Sequence, residues 1–248
     1  MSTSYFILSK ASAGTTSTTD NADNQIVYLN DSRLSYILPQ TLMSCYCDYG
    51  LFEAGLIEWS KQFCNTNATF LDIGAHTGTY TVSLSKHCKR VVSFEPQRMT
   101  YYALCGSVAL SNLRNVLCLQ VGLGSPDQVG PRLLNIVSMD GGGSSIHAQQ
   151  VTIMGQEEIV IQTLDELAQR YGIADVGFVK MDVEDNEHFV LLGAERTLRA
   201  SNYPPILFEC NKPADNIRLF EYMTSLGYHV VRVSGTSNMF LGTKECAT

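Results

Sequence analysis

Phe70-Leu71-Asp72-Ile73-Gly74-Ala75-His76-Thr77-Gly78-Thr79-Tyr80-Thr81 joins a short apolar run to a glycine turn, and Thr79 to Cys88 then reads as helix. Phe70, Leu71 and Ile73 suit a strand buried on both faces of a parallel sheet. Gly74 and Gly78 lack a Cβ, so the backbone can bend sharply and a ligand can approach its amides. A turn at the carboxyl end of such a strand is where doubly wound α/β sheets bind their ligands. A second apolar run, Val91-Val92-Ser93-Phe94-Glu95-Pro96, places a carboxylate about 20 residues beyond Gly74.

A carboxylate at that place can accept hydrogen bonds from both hydroxyls of a ribose. Dinucleotide folds use the same logic with Gly-x-Gly-x-x-Gly, whereas this turn is Asp-x-Gly-x-x-x-Gly with the acid ahead of the first glycine. That order favours S-adenosylmethionine (SAM) over NAD. Asp72 is placed to bind the methionine ammonium directly or through water, and the open turn accommodates an amino acid where a pyrophosphate would need amides. The plain alternative is a buried strand and turn with a solvated glutamate, which the paired segments at this spacing argue against.

With 248 residues and 45% hydrophobic content, the chain fits one large domain with a continuous core. A net charge of -7 gives no attraction to phosphate backbones, so nucleic acid is not an expected substrate. Cys64, Cys88, Cys105, Cys118 and Cys210 lie mostly in apolar runs and suit buried reduced thiols. No apolar run reaches membrane-spanning length, and Met1 to Lys10 lacks the pattern of a secretory signal, so the expectation is a soluble cytoplasmic protein. The expected division is a loose segment over 1–24, an N-terminal cover over 25–68 and a SAM-binding domain over 69–248.

The cover contains a predicted strand, Ile26-Val27-Tyr28-Leu29, and a helix from about Glu53 to Phe63. From residue 69 onward strands and helices alternate, the mark of a parallel α/β sheet. Tyr101, Leu104, Cys105 and Val108 share a helix face, and Asn115 to Val121 forms the next strand. Thr163 and Glu166 form a capping box for a helix with Leu164, Leu167, Ala168 and Tyr171 inward. Val176 to Met181, a helix over Asn186 to Ala200, the strand Pro205 to Phe208, a helix stopping at Gly227 and a closing pair, Val230 to Val233 with Met239 to Leu241, complete the pattern.

Several separated motifs resemble the FkbM family of methyltransferases, a group associated with O-methylation of sugars and related natural products. They are Asp72 to Thr81, Phe94-Glu95-Pro96, Thr163-Leu164-Asp165-Glu166-Leu167, Val179-Lys180-Met181-Asp182-Val183-Glu184-Asp185-Asn186-Glu187, Leu191-Leu192-Gly193-Ala194 and Ile206-Leu207-Phe208-Glu209. The family more usually has Asn at His76 and Gly at Asp185. The resemblance implies a Rossmann-like class I methyltransferase, an α/β fold whose mostly parallel seven-stranded sheet carries helices on both faces and an N-terminal extension. Its implied cofactor residues are Glu53, Asp72, Gly74, Ala75, His76, Gly78, Thr79, Tyr80, Glu95, Pro96 and Asp182, with Gln120 and Val121 beside the adenine. The imidazole of His76 would bond either the turn or the methionine carboxylate.

Methyl transfer is an in-line displacement, so the acceptor oxygen must be held roughly 3 Å from the methyl carbon. A sugar hydroxyl is a weak nucleophile, and a base that takes its proton contributes roughly 10²–10⁴-fold. Asp182 is the first choice for that base, with Glu184 and His147 as alternatives. Asp182, Glu184 and Glu187 are also candidate ligands for a divalent cation, although Glu184 and Glu187 would equally serve as caps of the following helix. In Met139 to His147, a predicted lid, Ser144 and Ser145 are placed to bond sugar hydroxyls, and His147 is either a base or a residue of a surface loop. Glu187, Glu209 and Asn211 are further acceptor-side candidates, the last two with a capping role as the alternative. The expected activity is SAM-dependent O-methylation of a sugar hydroxyl in a glycan or glycosylated metabolite. Another small molecule, a protein side chain or a non-catalytic SAM-binding subunit are the alternatives, because acceptor choice depends on loops.

Overall fold

The computed structural model describes residues 5–7, 26–29, 34–38, 51–138, 140–147 and 151–244. Three strands, β1 (Tyr5–Ile7), β2 (Ile26–Leu29) and β3 (Ser35–Leu38), form an antiparallel sheet. Within the segment expected as loose over 1–24, Tyr5–Ile7 pairs with β2, in keeping with residue types that favour strand. The remainder of that segment lies outside the described residues. Helix α1 (Ala54–Ser60) leads into β4 (Thr69–Ile73), α2 (Thr79–Leu84), β5 (Arg90–Phe94), α3 (Arg98–Leu110) and β6 (Val116–Leu119). Next come β7 (Gly122–Leu123), β8 (Gly130–Ile136) and β9 (Gly155–Gln162), then α4 (Leu164–Tyr171) and β10 (Val176–Met181). The chain closes with α5 (Glu187–Leu192), α6 (Glu195–Ala200), β11 (Ile206–Glu209), α7 (Ile217–Ser225), β12 (Tyr228–Arg232) and β13 (Met239–Lys244).

The central sheet has seven strands in the order β12-β13-β11-β10-β4-β5-β6. Strands β11, β10, β4, β5 and β6 run parallel, and β13 is antiparallel to both its neighbours. All five residues of β4 are buried, which explains its continuous apolar character. Side chains alternate between two cores: Leu71, Ile73, Val92 and Val179 face one, and Phe70, Val91, Phe178 and Leu207 face the other. Helices cover both faces, as the sequence predicts.

Local signals account for most boundaries. Thr163 caps α4 by accepting the Glu166 amide at 3.2 Å, and Gly172 ends it in the left-handed region. The single helix expected over Asn186 to Ala200 is instead α5 and α6, broken at Gly193. A Cβ there would lie 2.1 Å from the Gly124 carbonyl oxygen, so the chain bends where another backbone approaches. The strands β7, β8 and β9 form a third sheet, order β7-β9-β8, in a region for which sequence patterning gave only a lid. The first sheet lies on α3: the amides of Ser35 and Ile37 donate to Ser111 Oγ and Ser107 Oγ at 2.8 and 2.9 Å. Among the described residues no helix is long and apolar enough to cross a membrane.

Candidate active site

The carboxyl ends of β4, β5, β10 and β11 open onto a cavity of about 520 Å³, where parallel α/β sheets place their ligands. The turn after β4 supplies Gly74, Ala75, His76, Thr79 and Tyr80 to its wall, α1 supplies Glu53, and β5 ends in Glu95 and Pro96. Val121, Leu134, Ile146, Ile159 and Ile161 form an apolar wall built largely by the third sheet. Glu95 is 7% exposed. Its Oε2 accepts the His76 amide at 2.8 Å, and its Oε1 accepts the Gln97 amide and the Thr100 hydroxyl, each at 2.9 Å. Burial raises its pKa, against the pull of His76 and these donors.

The glycine turn forms for a different reason than ligand approach. Gly74 has φ 73°, and a Cβ on it would lie 1.7 Å from the Asp182 carbonyl oxygen. Gly78 has φ 91°, and a Cβ there would meet Leu104 at 2.6 Å; it lies outside the cavity wall. The close approach that excludes side chains is made by β10 and α3. Asp72, expected to meet a methionine ammonium directly or through water, lies outside the wall. It is fully buried in β4, its Oδ2 accepts Thr81 Oγ1 at 2.5 Å, its Oδ1 has no hydrogen-bond partner, and burial raises its pKa.

Lys180 is a site residue that the motifs alone do not single out, although a lysine inside an apolar strand two positions before Asp182 marks the same sheet face. Its side chain is 7% exposed, and Nζ donates to the Gly74 carbonyl at 3.0 Å and approaches Asp182 Oδ2 at 3.4 Å. Burial opposes the charge, but Asp182, Asp72 and Glu53 outweigh it and hold the ammonium above its ordinary pKa. Nζ also lies 5.3 Å from the Tyr80 ring centroid, and the Tyr80 hydroxyl donates to Glu53 Oε2 at 2.9 Å. Burial raises the Glu53 pKa, while Lys180 and Tyr80 lower it.

Asp182, Glu184 and Glu209 converge, with one carboxylate oxygen of each within 4.8 Å of the others. These three, and not the expected Asp182, Glu184 and Glu187, are the carboxylates that could share a divalent cation. Glu209 is pushed up to about 9 by burial and by the charges of Asp182 and Glu184, and Glu184 to about 7 by burial and Asp182. Glu187 instead turns inward, 3% exposed, and accepts the Val183 amide at 3.0 Å, so it holds the turn before α5 and lies outside the cavity wall. Asn211 is likewise outside the wall: its Nδ2 donates to Glu209 Oε2 at 3.0 Å, and with Asn238 it fixes that carboxylate.

Residues 140–146 line the cavity along with Lys180 and Asn238. Gly143 N donates to Glu184 Oε1 at 3.1 Å, and Ser145 Oγ donates to the Glu184 carbonyl at 2.7 Å. Ser145 is thereby spent on the loop, whereas Ser144 Oγ is buried at the wall without a partner. His147, the alternative base, lies outside the wall: Nε2 donates to Asn186 Oδ1 at 2.9 Å and the ring stacks on Phe189. Gln120 is exposed and also outside the wall, while its neighbour Val121 lines it. Alternation explains this, since adjacent residues of an extended chain point oppositely.

The Methyltransferase FkbM domain family matches residues 72–230. No curated protein sequence matches. The fold is similar to that of a methyltransferase FkbM from Methylobacillus flagellatus KT, with TM-score 0.53 and 16% identity over 72% of this chain and 44% of that one. The chain therefore spans less than half the length of that relative. It is also similar to a precorrin-6y C5,15-methyltransferase from Geobacter metallireducens GS-15, with TM-score 0.50 and 12% identity over 79% and 90% of the two chains. At these identities the structures show the shared fold, and the family match over residues 72–230 carries the assignment: this chain belongs to the FkbM family of methyltransferases.

Proposed function

We propose that the protein transfers a methyl group from SAM to a hydroxyl of a sugar, in a glycan or glycosylated metabolite. The observation that carries this reading is the convergence of Asp182, Glu184 and Glu209 in the same cavity as Glu95. One carboxylate suits the ribose of a nucleoside, and three more suit an acceptor rich in hydroxyl donors. The cavity also fits SAM in other respects: Pro96, Val121, Ile159 and Ile161 offer an apolar wall for a base, and Ser144 Oγ is a buried polar atom that a ligand would satisfy.

When bound, SAM supplies a methyl group on a positively charged sulfur. The chain's own part is to orient the acceptor, exclude water and take one proton. Asp182, just past the end of β10 with its Oδ2 3.4 Å from the ammonium of Lys180, accepts that proton. Glu209, held by Asn211 and Asn238, and Glu184, held by Gly143, flank it as partners for neighbouring hydroxyls. A divalent cation is the alternative counter-charge for this cluster, but Lys180 already provides one at 3.4 Å.

The test is a screen with SAM carrying an isotopically labelled methyl group, offered with glycans, polyols, catechols and peptides and read by mass spectrometry. Label in the sugar fraction is expected. Label confined to peptides or other non-sugar acceptors overturns the sugar assignment, and absence of heat on titrating SAM to millimolar concentration overturns the cofactor assignment.

A further inference from the structure

Lys180 is the only lysine or arginine among the described residues that line the cavity. The same wall carries the carboxylates of Glu53, Glu95, Asp140, Asp182, Glu184 and Glu209. A methionyl group is a zwitterion, and its α-carboxylate entering such a wall meets repulsion at every acidic side chain. It needs a cation or free amides.

Four amides of the cofactor turn are already engaged. Those of Gly74 and Ala75 both donate to the Phe94 carbonyl at 3.0 Å, that of His76 to Glu95 Oε2, and that of Gly78 to the Ala75 carbonyl at 2.9 Å. The His76 ring, the other group expected to meet the carboxylate, commits its Nε2 to the Asp140 carbonyl oxygen at 2.6 Å. The side-chain ammonium at this end of the cavity is that of Lys180. It bonds the Gly74 carbonyl at 3.0 Å, touches Asp182 only at 3.4 Å, and an ammonium has three donors.

On the SAM reading above, we infer that Lys180 receives the α-carboxylate of the methionyl group, making it a cofactor-binding residue. The acidic side chains around it then complete the recognition. Glu53, held by the Tyr80 hydroxyl on one oxygen, lines the same wall and suits the α-ammonium. The arrangement reads the amino-acid end of the ligand by charge, separately from the nucleoside end at Glu95.

Isothermal titration calorimetry on the full chain tests this with three ligands: S-adenosylhomocysteine, its decarboxylated analogue S-adenosyl-3-thiopropylamine, and 5′-methylthioadenosine. The wild type should bind S-adenosylhomocysteine roughly ten- to a hundredfold more tightly than the decarboxylated amine, as befits one charged hydrogen-bonded contact. In Lys180→Met the two should bind alike, with 5′-methylthioadenosine unchanged within about threefold. Equal affinity of the wild type for S-adenosylhomocysteine and the amine overturns the inference without recourse to any variant. An equal loss for all three ligands in Lys180→Met also overturns it, because the lysine would then serve the fold alone. If the wild type binds none of the three, the SAM reading itself falls and this inference with it.

Discussion

His76 Nε2 lies 2.6 Å from the main-chain carbonyl oxygen of Asp140, so the ring donates from the cofactor turn to a loop 64 positions away in sequence. That bond anchors the first half of the glycine loop, while Gly143 and Ser145 anchor the second half on Glu184. His76→Asn preserves the left-handed backbone, φ 51°, that asparagine tolerates well, but the shorter side chain cannot span to Asp140. Losing one such bond costs about 0.5–1.5 kcal/mol, so amide exchange over 140–143 should accelerate a few-fold. Hydrogen exchange read by mass spectrometry checks this, and unchanged exchange in that peptide would count against the anchor.

Asp185 has φ 74°, directly after Glu184 at φ 53°, in the region that favours glycine. The family's usual glycine is thus matched in backbone shape, with a charge added and exposed to solvent. Asp185→Gly relieves the strain, offset in part by the entropy of an unfolded glycine, for a net gain of about 0.5–1 kcal/mol. Urea unfolding at neutral pH measures it. A loss of stability would mean that the contact of Asp185 Oδ1 with Asn216 Nδ2, at 3.4 Å, outweighs the strain.

These two residues also show what the sequence could and could not disclose. The strand, turn and distant carboxylate were legible because each rests on local pattern: apolar runs for β4 and β5, and an acid at a strand end for Glu95 and Asp182. Lys180 was legible in principle, since a charged residue inside a buried strand demands a partner. The fates of Glu187 and Glu209 were not. Which carboxylate reaches Asp182 depends on the turn at Glu184 and on β11 lying beside β10, a pairing between separate segments. The third sheet escaped because Gly155–Gln162 is flanked by polar stretches, and its pairing with β8 spans a long connection.

Glu187 makes the stability pH-dependent. Burial pushes it up to about 8 in the folded chain, against an ordinary value of 4.5. A raised carboxyl pKa means the folded state holds the proton more tightly than the unfolded one. Its contribution is therefore complete below pH 4.5 and is lost as pH rises through about 8, with a slope near ~1.4 kcal/mol per unit between them. Glu187→Gln keeps an oxygen for the Val183 amide and carries no charge. Denaturation curves from pH 5 to 9 should show a flatter profile for this variant and greater stability than wild type at the alkaline end. Parallel profiles would show that Glu187 is ionised in the fold.

Asp182→Asn separates binding from turnover. Asparagine preserves the shape of the β10 terminus and can still face Lys180, but it cannot take a proton from an acceptor hydroxyl. With an acceptor found in the labelling screen, kcat should fall by roughly 10²–10⁴. Affinity for S-adenosylhomocysteine should change far less. Glu209→Gln, which leaves Asp182 in place, should raise KM more than it lowers kcat, because a flanking partner is lost while the base remains. A parallel assay in EDTA should leave wild-type turnover unchanged, since Lys180 already balances Asp182 at 3.4 Å. Turnover abolished by EDTA and restored by magnesium would transfer the role of Asp182, Glu184 and Glu209 from proton acceptance to cation binding.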